Sequence, residues 1–305
     1  MVKPGARRAA ARFVQERFDV SERRACSIVC SNRSTVRYRS RRPDDAELRQ
    51  RLIELAVEFP RRGYRQLWDR LRRSGTKVNL KKVFRLYQEE KLQVRRRRRK
   101  RSRGAPRRPL PRPDAVNQRW SMDFMSDFIS DGRTMRILNV IDDFSTEALA
   151  IEVGRSITGE QVGRILDAIA LERGYPQAIV LDNGPEFTSR ALDIWAYERG
   201  VELHFITPGK PNENALIEAF NGRFRDEFLN ENWFTDFDDA RPKIEAWRVD
   251  YNEDRGQRKL GWLAPGEFAA RASAALQSPT APSVPLMPTV GQKQKTTENQ
   301  TLTVD

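Results

Sequence analysis

Three acidic residues stand in three different local settings between Trp120 and Phe228. Asp123 interrupts Trp120-Ser-Met-Asp-Phe-Met. Asp182 closes the apolar run Ile179-Val-Leu and precedes Asn183-Gly-Pro-Glu-Phe. Glu218 lies in Asn214-Ala-Leu-Ile-Glu-Ala-Phe-Asn-Gly-Arg-Phe, with 35 residues between it and Asp182. Carboxylates spread in this way suit phosphodiester chemistry, which needs an activated nucleophile, a neutralised phosphate and a stabilised leaving oxygen. Two Mg²⁺ ions roughly 3.5–4 Å apart meet all three needs. Mg²⁺ takes hard oxygen ligands and keeps several waters, so a few carboxylates suffice.

The settings carry the physical reasons. A charged side chain in mid-strand between Met122 and Phe124 is expensive unless paired or liganded. Open α/β sheets gather ligands at the carboxyl ends of their strands, where Asp182 falls. Glu218, among Ala215, Leu216, Ile217, Ala219 and Phe220, lies on or beside the apolar face of a helix that can lay it against those strand ends. Each acid also has a structural reading: a turn residue for Asp182, an edge-strand charge for Asp123, a half-exposed helix position for Glu218. Asp142 and Asp143 read as turn formers, and Glu186 as supportive at most.

The elements that must position these acids follow from periodicity. Residues 119–129, 135–144 and 147–153 predict three strands, Thr158 to Gly174 a helix, and Ala178 to Leu181 a short buried parallel strand. Ser189 to Arg199 predicts a helix, Val201 to Ile206 a strand, Asn212 to Leu229 a long helix and 236–250 another. That order gives a mixed sheet with helices on its faces, the ribonuclease-H-like α/β layout. Tyr251 to Phe268 reads as loop-rich, and no structure is assigned beyond about Ser273, where Ser, Thr, Pro and Gln dominate.

Ahead of the sheet the chain reads as all-α. Residues 7–18 predict a helix with Ala9, Ala10, Phe13 and Val14 near one face. A second helix capped by Ser21 and a third near Ser31 to Tyr38 complete a helix-turn-helix-like segment, for which a plain structural hairpin fits equally. Asp44 to Glu58 follows, with Leu48, Leu52, Leu55 and Ala56 as its stripe. Tyr64 to Arg73 and Leu80 to Glu90 make a second helix-turn-helix-like pair. Its outer faces carry Arg61, Arg62, Arg65, Arg70, Arg72, Arg73, Lys77, Lys81, Lys82 and Arg85. Charge of nearly one sign points to DNA backbone, although such faces are usually only solvated.

The expected divisions are residues 1–42 (helix-turn-helix-like), 43–94 (helical, DNA-binding), 95–114 (basic linker), 115–232 (catalytic core), 233–272 (helical extension) and 273–305 (disordered tail). The linker, with Arg95, Arg96 and Arg97, reads as an arm along phosphates; a charged tether or nuclear-type address is the plainer reading. Arg62, Arg65, Lys81, Lys82, Lys210, Asn214 and Arg223 are the other candidate DNA contacts.

The totals agree with a polyanionic partner. Among 305 residues, 56 Lys plus Arg face 42 Asp plus Glu, a formal net charge of +14. A ribosomal or membrane-surface protein would share that excess. Cys26, Cys30 and the single His204 cannot build a zinc finger, and both thiols read as buried in a reducing cytosol. No stretch approaches the roughly 18–20 apolar residues of a membrane span, and the first twenty residues lack a signal peptide's apolar run. The expectation is a soluble, cytoplasmic, nucleoid-associated protein.

The Trp120, Leu181 and Pro208–Phe228 segments, with Tyr251-Asn-Glu-Asp-Arg, resemble a bacterial transposase of the insertion-sequence three family. The match is to its OrfB product, with a retroviral-integrase-like core. Tyr64-Arg and Val78-Asn-Leu-Lys-Lys-Val-Phe-Arg-Leu-Tyr are similar to that family's helical domain. The resemblance covers about residues 20–270, with the acids in the family's order and spacing. It implies Asp123, Asp182 and Glu218 as catalytic metal ligands for Mg²⁺ or Mn²⁺. It implies cutting of element ends to free a 3′-hydroxyl, and attack by that hydroxyl on another DNA phosphate. It further implies an OrfA partner or fusion and a homo-oligomer on double-stranded DNA. One departure stands out: Gly256-Gln257 replaces the usual Pro-His after the motif's arginine, which weakens a polar contact near the site. A non-catalytic DNA-binding regulator or inactive relic, and a ribonuclease on RNA–DNA hybrids, are the rival readings.

Overall fold

A computed structural model of the chain describes residues 4–39, 45–94, 113–207 and 214–277. The chain divides into two compact units, residues 1–51 and the remainder from Leu52.

The first unit holds α1 (Pro4–Phe18), α2 (Glu22–Ile28) and α3 (Arg33–Arg37), packed on one another. α1 begins earlier than expected, because Pro4 supplies a preset φ at the first helical turn. Its inner face is also corrected. Ala11 is the fully buried residue, against Cys26 and Val36, while Phe13 is 61% exposed. A core this small admits a methyl group where three short helices meet. Ser21 caps α2 as expected, accepting from the Arg24 N–H. Cys26 is buried but Cys30 is exposed, so only one thiol matches its expectation. α4 (Ala46–Glu58) follows and buries Leu52 and Leu55.

In the second unit, α5 (Tyr64–Arg73) and α6 (Leu80–Glu89) pack through Leu67, Leu71, Val83 and Leu86, all without solvent exposure. Asn79 caps α6 by accepting from the Lys81 N–H at 2.9 Å.

The sheet contains β1 (Arg119–Phe128), β2 (Thr134–Asp142), β3 (Ala148–Gly154), β4 (Ala178–Leu181) and β5 (Glu202–Phe205). Its order is β3-β2-β1-β4-β5. β1, β2 and β3 pair antiparallel, while β4 runs parallel to both β1 and β5. The helices are α7 (Gly159–Arg173), α8 (Arg190–Arg199), α9 (Ala215–Glu227) and α10 (Phe237–Val249). This is the ribonuclease-H-like mixed sheet that the sequence predicts.

Two apolar cores lie on its two faces. Trp120, Met122, Leu138, Val140, Ile179 and Leu181 pack with Val162 and Leu166 of α7 and Leu192 of α8. Met125, Ile137, Ile141 and Ile151 pack with Ile217, Phe220 and Phe224 of α9 and Ile244 and Trp247 of α10. Side chains alternate along a strand, so Asp123 shares its face with Met125, the face that α9 covers.

The C-terminal expectation is corrected. Tyr251 to Phe268 is not simply loop: a short π-helix spans Asp250–Asp254, and α11 runs Pro265–Gln277, past the expected boundary at 273. Pro265 opens α11, and the Glu267 carboxylate reaches back to the Ala264 N–H at 2.8 Å. Asp142 and Asp143 are turn formers, but buried ones. Asp142 accepts from the Ser145 N–H at 2.7 Å, and Asp143 pairs with Arg119 at 2.5 Å and Ser121 Oγ at 2.7 Å. Their oxygens are thereby spent on the fold.

Candidate active site

The register brings the two aspartates together. β1 and β4 pair Arg119 with Ala178, Trp120 with Ile179 and Ser121 with Val180. The same offset carried two residues further sets Asp182, just past the end of β4, beside Asp123. On the other side Asp123 faces Asn139 of β2.

The turn after Asp182 is held tightly. Asp182 Oδ1 accepts from the Gly184 N–H at 2.9 Å. A Cβ on Gly184 would lie 2.9 Å from that same oxygen, so a side chain there would push the Asp182 carboxylate aside. Phe187 is buried and stacks on Phe124 with ring centroids 4.9 Å apart. Arg136 lies over the other side of this group, 4.5 Å from the Phe124 centroid, and pairs with Glu186 at 2.8 Å. Strand and turn are thus fastened next to the two aspartates.

α9 supplies the third acid. Asn221, one turn after Glu218, donates to Asp123 Oδ2 at 2.7 Å. Its own Oδ1 accepts from Asn139 Nδ2 at 2.7 Å. Asn139 is fully buried, so this relay fixes which end of the Asn221 amide faces Asp123. Residues three apart share a helix face, which places Glu218 on the sheet-end side with Asn221. Glu218 itself is exposed, rather than set into the apolar face.

Electrostatics ties the three together. The Asp123 carboxyl is pushed up to about 6, first by burial and then by the charge of Asp182, with Glu218 adding to it; the Phe124 N–H and Asn221 pull the other way. Asp182 and Glu218 therefore both lie close enough for their charge to act on Asp123. Among the described residues, no three acid, histidine or cysteine side chains are drawn in tightly enough to hold an ion as they stand.

The candidate DNA contacts fall into three groups. Arg65 and Lys81 are exposed on α5 and α6, and Lys82 is half-buried. Arg95, Arg96, Arg97 and Lys210 lie outside the described residues. The third group is corrected. Arg62 is 6% exposed and pairs with Asp250, so it does not lie on an outer face. Arg70 and Arg73 are likewise paired, with Asp250 and Glu267. Asn214 is buried and donates to the Met122 carbonyl at 3.4 Å. Arg223 is half-buried, donating to the Tyr251 hydroxyl at 3.5 Å.

The buried Gln257 bonds the Tyr251 hydroxyl at 3.0 Å and accepts from Thr146 Oγ1 at 3.4 Å. Its role is to brace the β2–β3 turn, where Thr146 holds a strained φ of 59°. Sequence reasoning missed Asn139 and Asn221. A lone amide in the apolar run Ile137-Leu-Asn-Val-Ile was the available signal for Asn139, since a buried polar side chain demands a partner.

Comparisons with known proteins give the family. An integrase core domain model matches residues 113–211 and a second one residues 199–265. An HTH-like domain model matches residues 43–100. An uncharacterized 31.7 kDa protein of insertion element IS407 from Burkholderia multivorans is 49% identical over 269 residues, covering 88% of this chain and 97% of that one. The chain belongs to the insertion-sequence three family of transposases. A putative transposase InsK of insertion sequence element IS150 from Escherichia coli is 25% identical, over 77% of this chain and 89% of that one. A simian T-cell lymphotropic virus intasome chain, solved with a PP2A regulatory subunit, is 14% identical with a TM-score of 0.49, covering 82% of this chain and 80% of that one. The protein is an OrfB-type transposase, an enzyme of the polynucleotidyl-transferase type, with an HTH-like domain ahead of its core.

Proposed function

We propose that this transposase cuts and joins DNA at the ends of its insertion element, with Asp123, Asp182 and Glu218 as the catalytic residues. In the first step a water oxygen bonds to phosphorus as the phosphorus–O3′ bond breaks, leaving a 3′-hydroxyl. In the second, that hydroxyl attacks a target phosphate and displaces the target's 3′ oxygen. Mg²⁺ or Mn²⁺, held by the three carboxylates, would neutralise phosphate charge and sharpen the attacking oxygen. Asn221 holds the Asp123 carboxylate in one orientation, and the Phe124–Phe187 stack keeps the Asp182 turn on β1.

The observation that carries the reading is the convergence on Asp123: the β1–β4 register sets Asp182 beside it, and α9 bonds it through Asn221, one turn from Glu218. The test uses a labelled duplex copied from the element's own terminus, with either metal or a chelator. Nicks bearing a 3′-hydroxyl, and joined products on a plasmid, are expected with metal alone. The same products in chelator would sink the reading.

The partners belong to the same proposal. Two element ends must be handled in one event, which calls for a homo-oligomer on double-stranded DNA. An OrfA protein, separate or fused, would add a further DNA-binding part. Among the described residues no helix is long and apolar enough to cross a membrane, and we place the protein at the nucleoid. Arg65, Lys81, Lys82, Lys210 and the arm from Arg95 to Arg99 would meet phosphates. Neutralising the five arm residues from 95 to 99 is expected to flatten the slope of log affinity against log salt by about 4.5, near 0.9 for each phosphate left without its cation. A fluorescence-anisotropy titration with an unchanged slope would remove the arm from the interface.

A further inference from the structure

The α5–α6 pair meets the core through buried charge. Arg62 stacks over Phe59 at 4.1 Å and donates to Asp250, with its Nε 3.9 Å from Glu227. Arg70 reaches the other Asp250 oxygen at 2.7 Å. Arg255, also 6% exposed, closes the cluster by gripping Glu227 with Nε at 2.8 Å and a terminal nitrogen at 2.5 Å. The neighbouring fit is close: a Cβ on Gly256 would lie 2.1 Å from Asp69 Oδ2 of α5, and Gln66 donates to the Gly256 carbonyl at 3.1 Å.

Glu227 is the last residue of α9, and Glu218 lies in its first turn. Nine residues of continuous helix separate them by about 14 Å. Arg62 and Arg255 therefore hold the C-terminal end of the rod whose first turn presents Glu218, while Arg70 holds Asp250 beside them. Removing one partner of such a buried set leaves an uncompensated charge, so the cluster has one favoured arrangement.

We propose that Arg62, Arg70 and Arg255 are positioning residues that act through Glu227 and Asp250 to fix α9, so that seating of α5–α6 on a DNA end sets Glu218 for cleavage. The inference rests on Glu218 being catalytic. It also explains why α5 carries cations that are spent on protein rather than on phosphate.

The full chain is tested on a duplex copied from its element's terminus, with Mn²⁺. Arg62→Met is expected to keep the dissociation constant within about twofold while the single-turnover cleavage rate at saturating DNA falls at least tenfold. The double variant Arg62→Met, Asp250→Asn removes the acid left without Arg62, restores the cluster's original net charge, and should recover the melting temperature without recovering the rate. Recovery of both would reduce the cluster to a stability element and overturn the proposal. Weakened binding with an unchanged rate would make Arg62 a DNA contact and overturn it too. If Arg62→Met fails to fold, the partly exposed Arg70→Gln replaces it, with at least a threefold rate loss expected and an unchanged rate overturning the idea. Asp182→Asn runs in parallel. An active Asp182→Asn removes the catalytic reading and the coupling with it; an inactive one beside a full-speed Arg62→Met overturns the coupling alone.

Discussion

Glu218→Gln is expected to slow end cleavage by about a thousandfold, equivalent to roughly 4 kcal/mol of lost transition-state stabilisation. The substitution keeps shape and removes only charge. Because Glu218 is exposed on the first turn of α9, folding does not depend on it, and stability should stay within about 0.5 kcal/mol of the parent chain. Asn221 and Ile217 continue to hold the helix in place. Binding of element-end DNA should be near normal as well, since removing a negative charge does not weaken attraction to phosphate. The measurement is single-turnover cleavage in Mg²⁺ beside a thermal melt and an anisotropy titration. A variant that cuts within tenfold of the parent, with the same melt, would return Glu218 to the status of an ordinary surface residue on a helix.

Much of the core was legible because its signals are local. The apolar run Ala178 to Leu181 and the alternation through Trp120 to Phe128 depend on neighbours in sequence, and both strands fall where expected. The nearness of Asp123 to Asp182 is different. It follows from a parallel register between strands 59 residues apart, which only the folded sheet specifies. The cationic faces were misread for the same reason. Arg62 and Arg65 look alike in the sequence, but the acid that buries Arg62 comes 188 residues later. Asn221 carried no motif of its own; its meaning appears only when β2 lends Asn139 to orient it. α11 was lost to composition, although Pro265 and Glu267 spell a helix start.

Asp123→Asn should make the ion-free protein more stable at pH 7.5 while destroying catalysis. The folded-state carboxyl sits at about 6 against an ordinary 3.8. Between those values the folded chain retains a proton that the unfolded chain has released. Stability therefore falls as pH rises from about 4 to about 6, and the penalty is present in full above that window. Two units correspond to nearly 3 kcal/mol, and partial solvent screening brings this to about 2 kcal/mol. Asparagine, like the protonated acid, keeps one oxygen for one of the Phe124 and Asn221 donors and turns a donor toward the other, but it has no charge for burial, Asp182 and Glu218 to oppose. The variant's urea midpoint should exceed the parent's at pH 7.5 and match it near pH 4. Millimolar Mg²⁺ should reverse the order at pH 7.5, because the parent gains a ligand-linked stabilisation that the variant lacks. Equal midpoints at pH 7.5 without ion would mean that the trio does not repel. Equal gains from Mg²⁺ in both proteins would mean that the ion binds elsewhere.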